Sequence, residues 1–187
     1  MKPLYMHTDR SRRLESGMDI KLTPCAGECG LAGYAGMFAD GFAEHVERLC
    51  GAGLGSHGRQ YLVRFFESGM HSPLLFQELY LEYIRWAHGI NEPSRFQSFY
   101  AWGSYEEAVR FAALDGKAED PHIYEMMPHG RVFKGDMNLT RGRLDMGRAT
   151  AYWAGERLDM YGEYRPVWEY VMELPVRVVR RVYEGGL

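Results

Sequence analysis

Apolar residues alternate with polar ones near the two ends of this chain and fall into helical spacing in between. Leu4-Tyr5-Met6-His7-Thr8 predicts a short first strand, and Ile20–Leu22 a second, closed by Thr23-Pro24. The polar run from Arg10 to Glu15 predicts a helical turn ended by Gly17. After a Gly-, Ala- and Cys-rich loop over 25–36, apolar residues at 38, 42, 46 and 49 follow the period of a helix. Gly51 to Gly58 reads as a glycine-rich linker, and Leu62, Val63, Phe65 and Phe66 predict a helix over 59–67. Ser72 caps and Pro73 opens an amphipathic helix carrying Leu74, Leu75, Leu79, Glu82, Tyr83 and Trp86, ended by Gly89. Residues of about 37–90 therefore form an inserted helical block in this reading.

Beyond Pro93 the period changes. Phe96 to Ala101 predicts a strand whose aromatics suit a pleated surface. Gly103 turns the chain, and Ser104 with Glu107 three residues on is a capping box for a helix that Asp115-Gly116 stops. His122–Met127 and Arg131–Lys134 predict two strands, the latter ended by Gly135-Asp136. Asn138–Arg148 reads as loop or short helix, and Ala149–Ala154 as helix or strand. Val167–Met172 and Val176–Tyr183, joined at Leu174-Pro175, are the clearest strands. The sum is an α+β fold with a largely antiparallel sheet, in a single domain over 1–187.

Composition narrows the function classes. The net charge of −3 gives no global basic footprint for nucleic acid. No run of about eighteen apolar residues is present, so no membrane span is expected, and the first residues lack a signal-peptide apolar core. Three cysteines fit reduced thiols in a cytoplasm better than a disulfide framework.

Four constellations invite chemistry. Gly51, Gly53, Gly55 and Gly58 imitate a dinucleotide fingerprint, but the charged helical stretch Glu44–Arg48 stands where a buried strand is required. Cys25, Cys29, His45, Cys50 and His57 are spaced too irregularly for structural zinc, and no metal is expected. Gly142-Arg143 with Arg177, Arg180 and Arg181 reads either as a solvated edge strand or as a phosphate or RNA contact surface. Glu169 sits between Val167-Trp168 and Tyr170-Val171; a carboxylate in an apolar strand is either exposed at the strand's start or partly buried with a task, and such groups concentrate at active sites.

Three segments, in order, resemble the ADP-ribosyltransferase superfamily, on the branch shared by diphtheria toxin and the poly-ADP-ribose polymerases. Leu4-Tyr5-Met6-His7-Thr8-Asp9-Arg10 is similar to its first strand, leucine-aromatic followed by His-Gly-Ser/Thr-Arg; here Thr8 replaces the glycine and Met6 is an extra residue. Downstream, Leu14-Glu15-Ser16-Gly17 is similar to the end of the helix that follows. Phe99-Tyr100-Ala101 through Ser104 to Ala108 is similar to the Tyr-Phe-Ala-Asp…Ser-Lys-Ser-Ala strand and helix, with Phe99 at the nicotinamide-stacking tyrosine. Trp168-Glu169-Tyr170-Val171-Met172 is similar to Asn-Glu-Tyr-Ile-Val, whose glutamate is catalytic, with Glu173 as the fallback. Val167 stands where the arginine- and guanine-modifying members carry a second acid. Pro93–Phe99, Glu82-x-x-Arg85 and Tyr152-Trp153-x-Gly155 also resemble a poorly characterised bacterial family of the same superfamily.

The resemblance implies a split, mostly antiparallel sheet and the transfer of ADP-ribose from NAD to a protein or RNA acceptor, as in a bacterial toxin, effector or defence factor acting in a cytoplasm. Glu169 would face the developing oxocarbenium charge. His7 would bond the adenosine ribose, backbone groups at Thr8 the carboxamide, and Arg10 the diphosphate. Phe99 would stack on nicotinamide, with Gln97, Ser98 and Tyr100 lining the pocket. The toxin analogy adds an immunity or antitoxin protein as a partner to look for. The alternatives are NAD hydrolysis, or a degenerate member that binds nucleotide or nucleic acid without turnover.

Overall fold

The computed structural model describes residues 3–24, 50–64, 73–114, 121–142, 144–157 and 164–182. Among the described residues, seven strands lie in two antiparallel sheets. They are β1 (Tyr5–Thr8), β2 (Asp19–Ile20), β3 (Ser98–Ala101), β4 (Ile123–Pro128), β5 (Val132–Asp136), β6 (Trp168–Glu173) and β7 (Val176–Val182). One sheet has the order β1-β4-β7-β2 and the other β3-β6-β5. The two meet where Met6 and Trp102 exchange backbone hydrogen bonds of 2.9 and 2.7 Å.

Register explains which side chains share a face, because directly opposed residues in an antiparallel pair point the same way. Phe99 faces Met172 and Ala101 faces Tyr170 across β3–β6, and Lys134 faces Tyr170 across β5–β6. Phe99, Met172, Leu174, Tyr124, Met126, Val176 and Val178 form one buried cluster, so one end of this face packs against the other sheet. The opposite face carries Ser98, Tyr100, Glu169 and Val171. Three helices cover that face: α2 (Pro73–Ala87), α4 (Met137–Thr140) and α5 (Met146–Trp153). Their contact with the sheet is the cluster of Leu81, Ile84, Leu139, Ala149, Tyr152 and Trp153 with Phe133 and Val171. Helix α3 (Tyr105–Leu114) packs Ala108 beside Trp102 and Ile123, and α1 (Ser56–Arg59) runs on into a π-helical turn over Gln60–Arg64.

Several expectations are corrected. The glycine-rich linker over 51–58 contains the start of α1 at Ser56. The strand expected from Phe96 starts at Ser98, after a 3-10 turn over Arg95–Gln97. Gly135 and Asp136 continue β5 rather than ending it. Residues 146–153 are helical, capped by Asp145, whose carboxylate accepts from the Arg148 N–H. Glu107 N donates to Ser104 Oγ at 3.2 Å as a capping box requires, while the Glu107 carboxylate accepts from Gly103 N. Strand β7 is flanked by β4 and β2 rather than forming an edge, and two of its arginines pair across to those strands with their side chains still largely exposed: Arg180 grips Glu125 at 2.7 and 2.8 Å and Arg177 meets Asp19 at 3.0 Å. Ser72, Arg143 and the predicted helix over 37–50, except its last residue Cys50, which is helical and buried, lie outside the described residues.

Helix α2 also departs from its amphipathic reading. Its buried residues are Glu78, Leu81 and Ile84, whereas Leu74, Phe76, Leu79, Tyr83 and Trp86 are exposed. Among the described residues no helix is long and apolar enough to cross a membrane.

Candidate functional site

The three motif segments occupy three neighbouring strands. Strand β1 joins β3 through the Met6–Trp102 pair, and β3 pairs with β6. On the face away from α2 and α5, His7 lies beside Phe99 with ring centroids 4.3 Å apart. A row of half-buried rings continues from there. Tyr5 meets Tyr170 at 4.8 Å, and Lys134 Nζ stands 4.2 Å above Trp168 and 5.8 Å from the Tyr170 ring.

The chemistry of His7 follows from one contact. Its Nδ1 is 2.7 Å from the Tyr100 carbonyl oxygen. A carbonyl can only accept, so Nδ1 carries the proton and Nε2 of the neutral ring is left as an acceptor. Burial disfavours the charged ring and pushes its pKa down to about 4, although the Tyr100 carbonyl and Asp9 oppose that shift. At neutral pH His7 is thus an uncharged group able to accept from a hydroxyl.

Glu169 lies on the other face. Its Oε1 accepts from Arg95 Nη1 at 2.7 Å and from the Tyr152 hydroxyl at 2.9 Å, and the residue is 4% exposed. Arg95 Nη1 also donates to the Tyr152 oxygen, while its Nε and Nη2 bind both oxygens of Glu78 at 2.7 and 2.8 Å. His57 Nε2 is 3.1 Å from Glu78, and the His57 ring is sandwiched by Tyr61 and Tyr100 at 4.6 and 4.5 Å. Burial opposes the charge on Arg95, but Glu169 and Glu78 overcome that and hold it ionised. Burial would likewise raise Glu78, yet Arg95 and His57 hold it well below the usual carboxylate range. Tyr100 and Tyr152 are pushed well above the ordinary phenol range by burial and remain donors. The Tyr100 hydroxyl donates to the Arg95 carbonyl at 2.8 Å. This network binds charges firmly; every hydrogen-bonding nitrogen of Arg95 already has an acceptor.

The residues named from sequence therefore divide. His7 and Phe99 meet, and the sheet separates them from Glu169. Thr8 is buried, with Oγ1 donating to the Ala108 carbonyl at 3.0 Å. Arg10 is exposed, its guanidinium 4.4 Å above the Phe111 ring. Gln97 Nε2 donates to the Gly53 carbonyl at 2.9 Å. Ser98 is fully buried on the Glu169 face, with Oγ unpartnered. Tyr100 also points to the Glu169 face. Glu173, the fallback acid, pairs with the half-exposed Arg131 at 2.9 Å. Arg95, Glu78 and His57 were not singled out from sequence as members of one site. The available signal was Glu78 itself, a carboxylate three and six residues before the core-facing Leu81 and Ile84, where a charge needs a buried partner. Cys25, Cys29 and His45 lie outside the described residues, and among the described residues no group of three or more His, Cys, Asp or Glu could hold a metal.

The class defined so far is an α+β fold with two antiparallel sheets, an aromatic row on one face of the three-stranded sheet and a buried arginine–carboxylate network on the other. A family model described as "Protein of unknown function (DUF2441)" matches residues 50–184, and the chain belongs to that family. The match includes Glu78, Arg95, Phe99, Tyr152 and Glu169, while His7 precedes it. No curated protein matches the chain.

Proposed function

We propose that this chain is a nucleotide-binding domain of ADP-ribosyltransferase type, which takes NAD or a related dinucleotide on the face of His7 and Phe99 without using Glu169 to break the nicotinamide–ribose bond. The observation that carries this reading is the row from His7 and Phe99 through Tyr5 and Tyr170 to Trp168 and Lys134. The half-buried ring faces of Tyr5, Tyr170 and Trp168 suit flat bases, with the buried Phe99 supporting the row from the core; the ammonium suits a phosphate, and a neutral His7 accepting at Nε2 suits a ribose hydroxyl. Against turnover stands Glu169, neutralised by Arg95 and bonded by Tyr152 on the far side of the sheet. An anion already paired in this way has little left for a developing cation.

One observation favours the transferase, with a protein or RNA acceptor, as a second reading. The three motif segments resembling that superfamily lie on neighbouring strands, β1 bridged to the end of β3 and β3 paired with β6, which supports a shared site. NAD hydrolysis is its close variant.

Calorimetric titration with NAD, beside incubation with labelled NAD and a cell lysate, separates the readings. Expected are binding that weakens at least about tenfold in His7→Ala and Trp168→Ala, and neither label transfer nor free nicotinamide. No binding at millimolar NAD rejects both. Turnover that vanishes in a folded Glu169→Gln variant replaces the first reading with the second.

A further inference from the structure

We propose that the outward face of α2 is a homodimer interface, occupied by the same helix of a second copy running antiparallel. Phe76, Leu79, Tyr83 and Trp86 stand at spacings of three, four and three, the heptad pattern of a helix–helix seam. None of them is needed for the core, which α2 meets through Leu81 and Ile84. Phe76 and Trp86 are 65% exposed and Tyr83 is 60% exposed. With Leu79 they leave roughly 500 Å² of largely apolar side chain in water, given 150–250 Å² for each aromatic. Patches of that size are often functional, and two of them face to face bury about 1,000 Å², the least a specific interface needs and the range of a weak dimer.

The spacing selects the occupant. Three–four–three reads the same in both directions, so an antiparallel copy brings Phe76 opposite Trp86 and Leu79 opposite Tyr83 with every seam position filled. A two-fold interface requires that self-complementarity. Charges beside the seam make no demand on a partner, because Glu82 and Arg85 bind each other at 2.8 Å. Gln77 is held by the Gly142 carbonyl at 2.7 Å.

Sedimentation velocity on the full chain from about 1 to 100 µM should show a concentration-dependent dimer. Phe76→Glu and Trp86→Lys should each weaken association by about 100-fold, as expected for buried aromatic anchors, with circular dichroism unchanged. Mixing the two variants should restore a dimer, since each then offers the other one glutamate–lysine pair and one native Phe–Trp pair. If either variant fails to fold, Leu79→Ser and Tyr83→Ser take its place and should weaken the dimer. A wild type monomeric throughout, as when a segment of the chain itself or another protein covers the face, overturns the proposal. So does a dimer that survives both substitutions, or two folded variants whose mixture stays monomeric.

Discussion

His7 shows how one backbone oxygen sets the state of a side chain. The Tyr100 carbonyl fixes its tautomer, and burial holds its pKa at about 4 against 6.5 for the free group. The unfolded chain therefore binds one more proton than the folded chain between those values. Stability from this group is complete above about pH 6.5 and declines as pH falls towards 4, by about 3 kcal/mol at most at 1.4 kcal/mol per unit. His7→Gln should flatten the curve of unfolding free energy against pH in that window. Urea denaturation at half-unit steps from pH 4 to 7 reads it; a wild-type slope retained in the variant would assign the loss elsewhere.

At the scale of elements, most of the strands were legible because alternation and turn residues mark them. Tyr5–Thr8, the β6–β7 pair and the Ser104-capped helix follow from local pattern alone. The face of α2 was not legible in this way. Its aromatic stripe outscores its core stripe, and only tertiary packing decides that Leu81, Ile84 and the charged Glu78 go inward. The fate of Glu169 was hidden for a related reason. Strand parity gives its face relative to Phe99, but nothing local names Arg95, 74 residues away, as its partner. Gly135 was misread as a stop. It lies opposite Glu169 in β5, and a β-carbon there would sit 2.4 Å from the Tyr152 ring. The missing side chain lets that ring lie flat on the strand and carry its hydroxyl to Glu169. Gly135→Ala should cost about 2–3 kcal/mol by overpacking. Gly147→Ala, at a helical site whose nearest contact is 3.4 Å away, should instead add up to about 1 kcal/mol. Paired urea titrations test the contrast, and equal effects at the two sites would contradict this account.

For the whole molecule, Arg95 joins parts distant in sequence. It ties α2 through Glu78, α5 through Tyr152 and β6 through Glu169, and so fixes the helical layer to the three-stranded sheet. Removing one member of a buried charge network is far more costly than the network's net contribution, because the remaining charges stay buried without compensation. Arg95→Met, close in length and apolar, should therefore destabilise by about 3–5 kcal/mol. Its pH dependence should also change sign. In the wild type Glu78 titrates well below its unfolded value, so the stability it contributes is present above about pH 4.5 and is lost as pH falls further. Without Arg95, desolvation dominates at Glu78 and favours the neutral acid. The variant should then gain stability relative to wild type as pH drops from 7 to 5. Thermal unfolding of both proteins across that range would show the gap in midpoint narrowing towards acid. A gap constant with pH would mean that Arg95 holds the layers together through its guanidinium's contact with the Tyr100 and Tyr152 rings rather than through its pairing with Glu78.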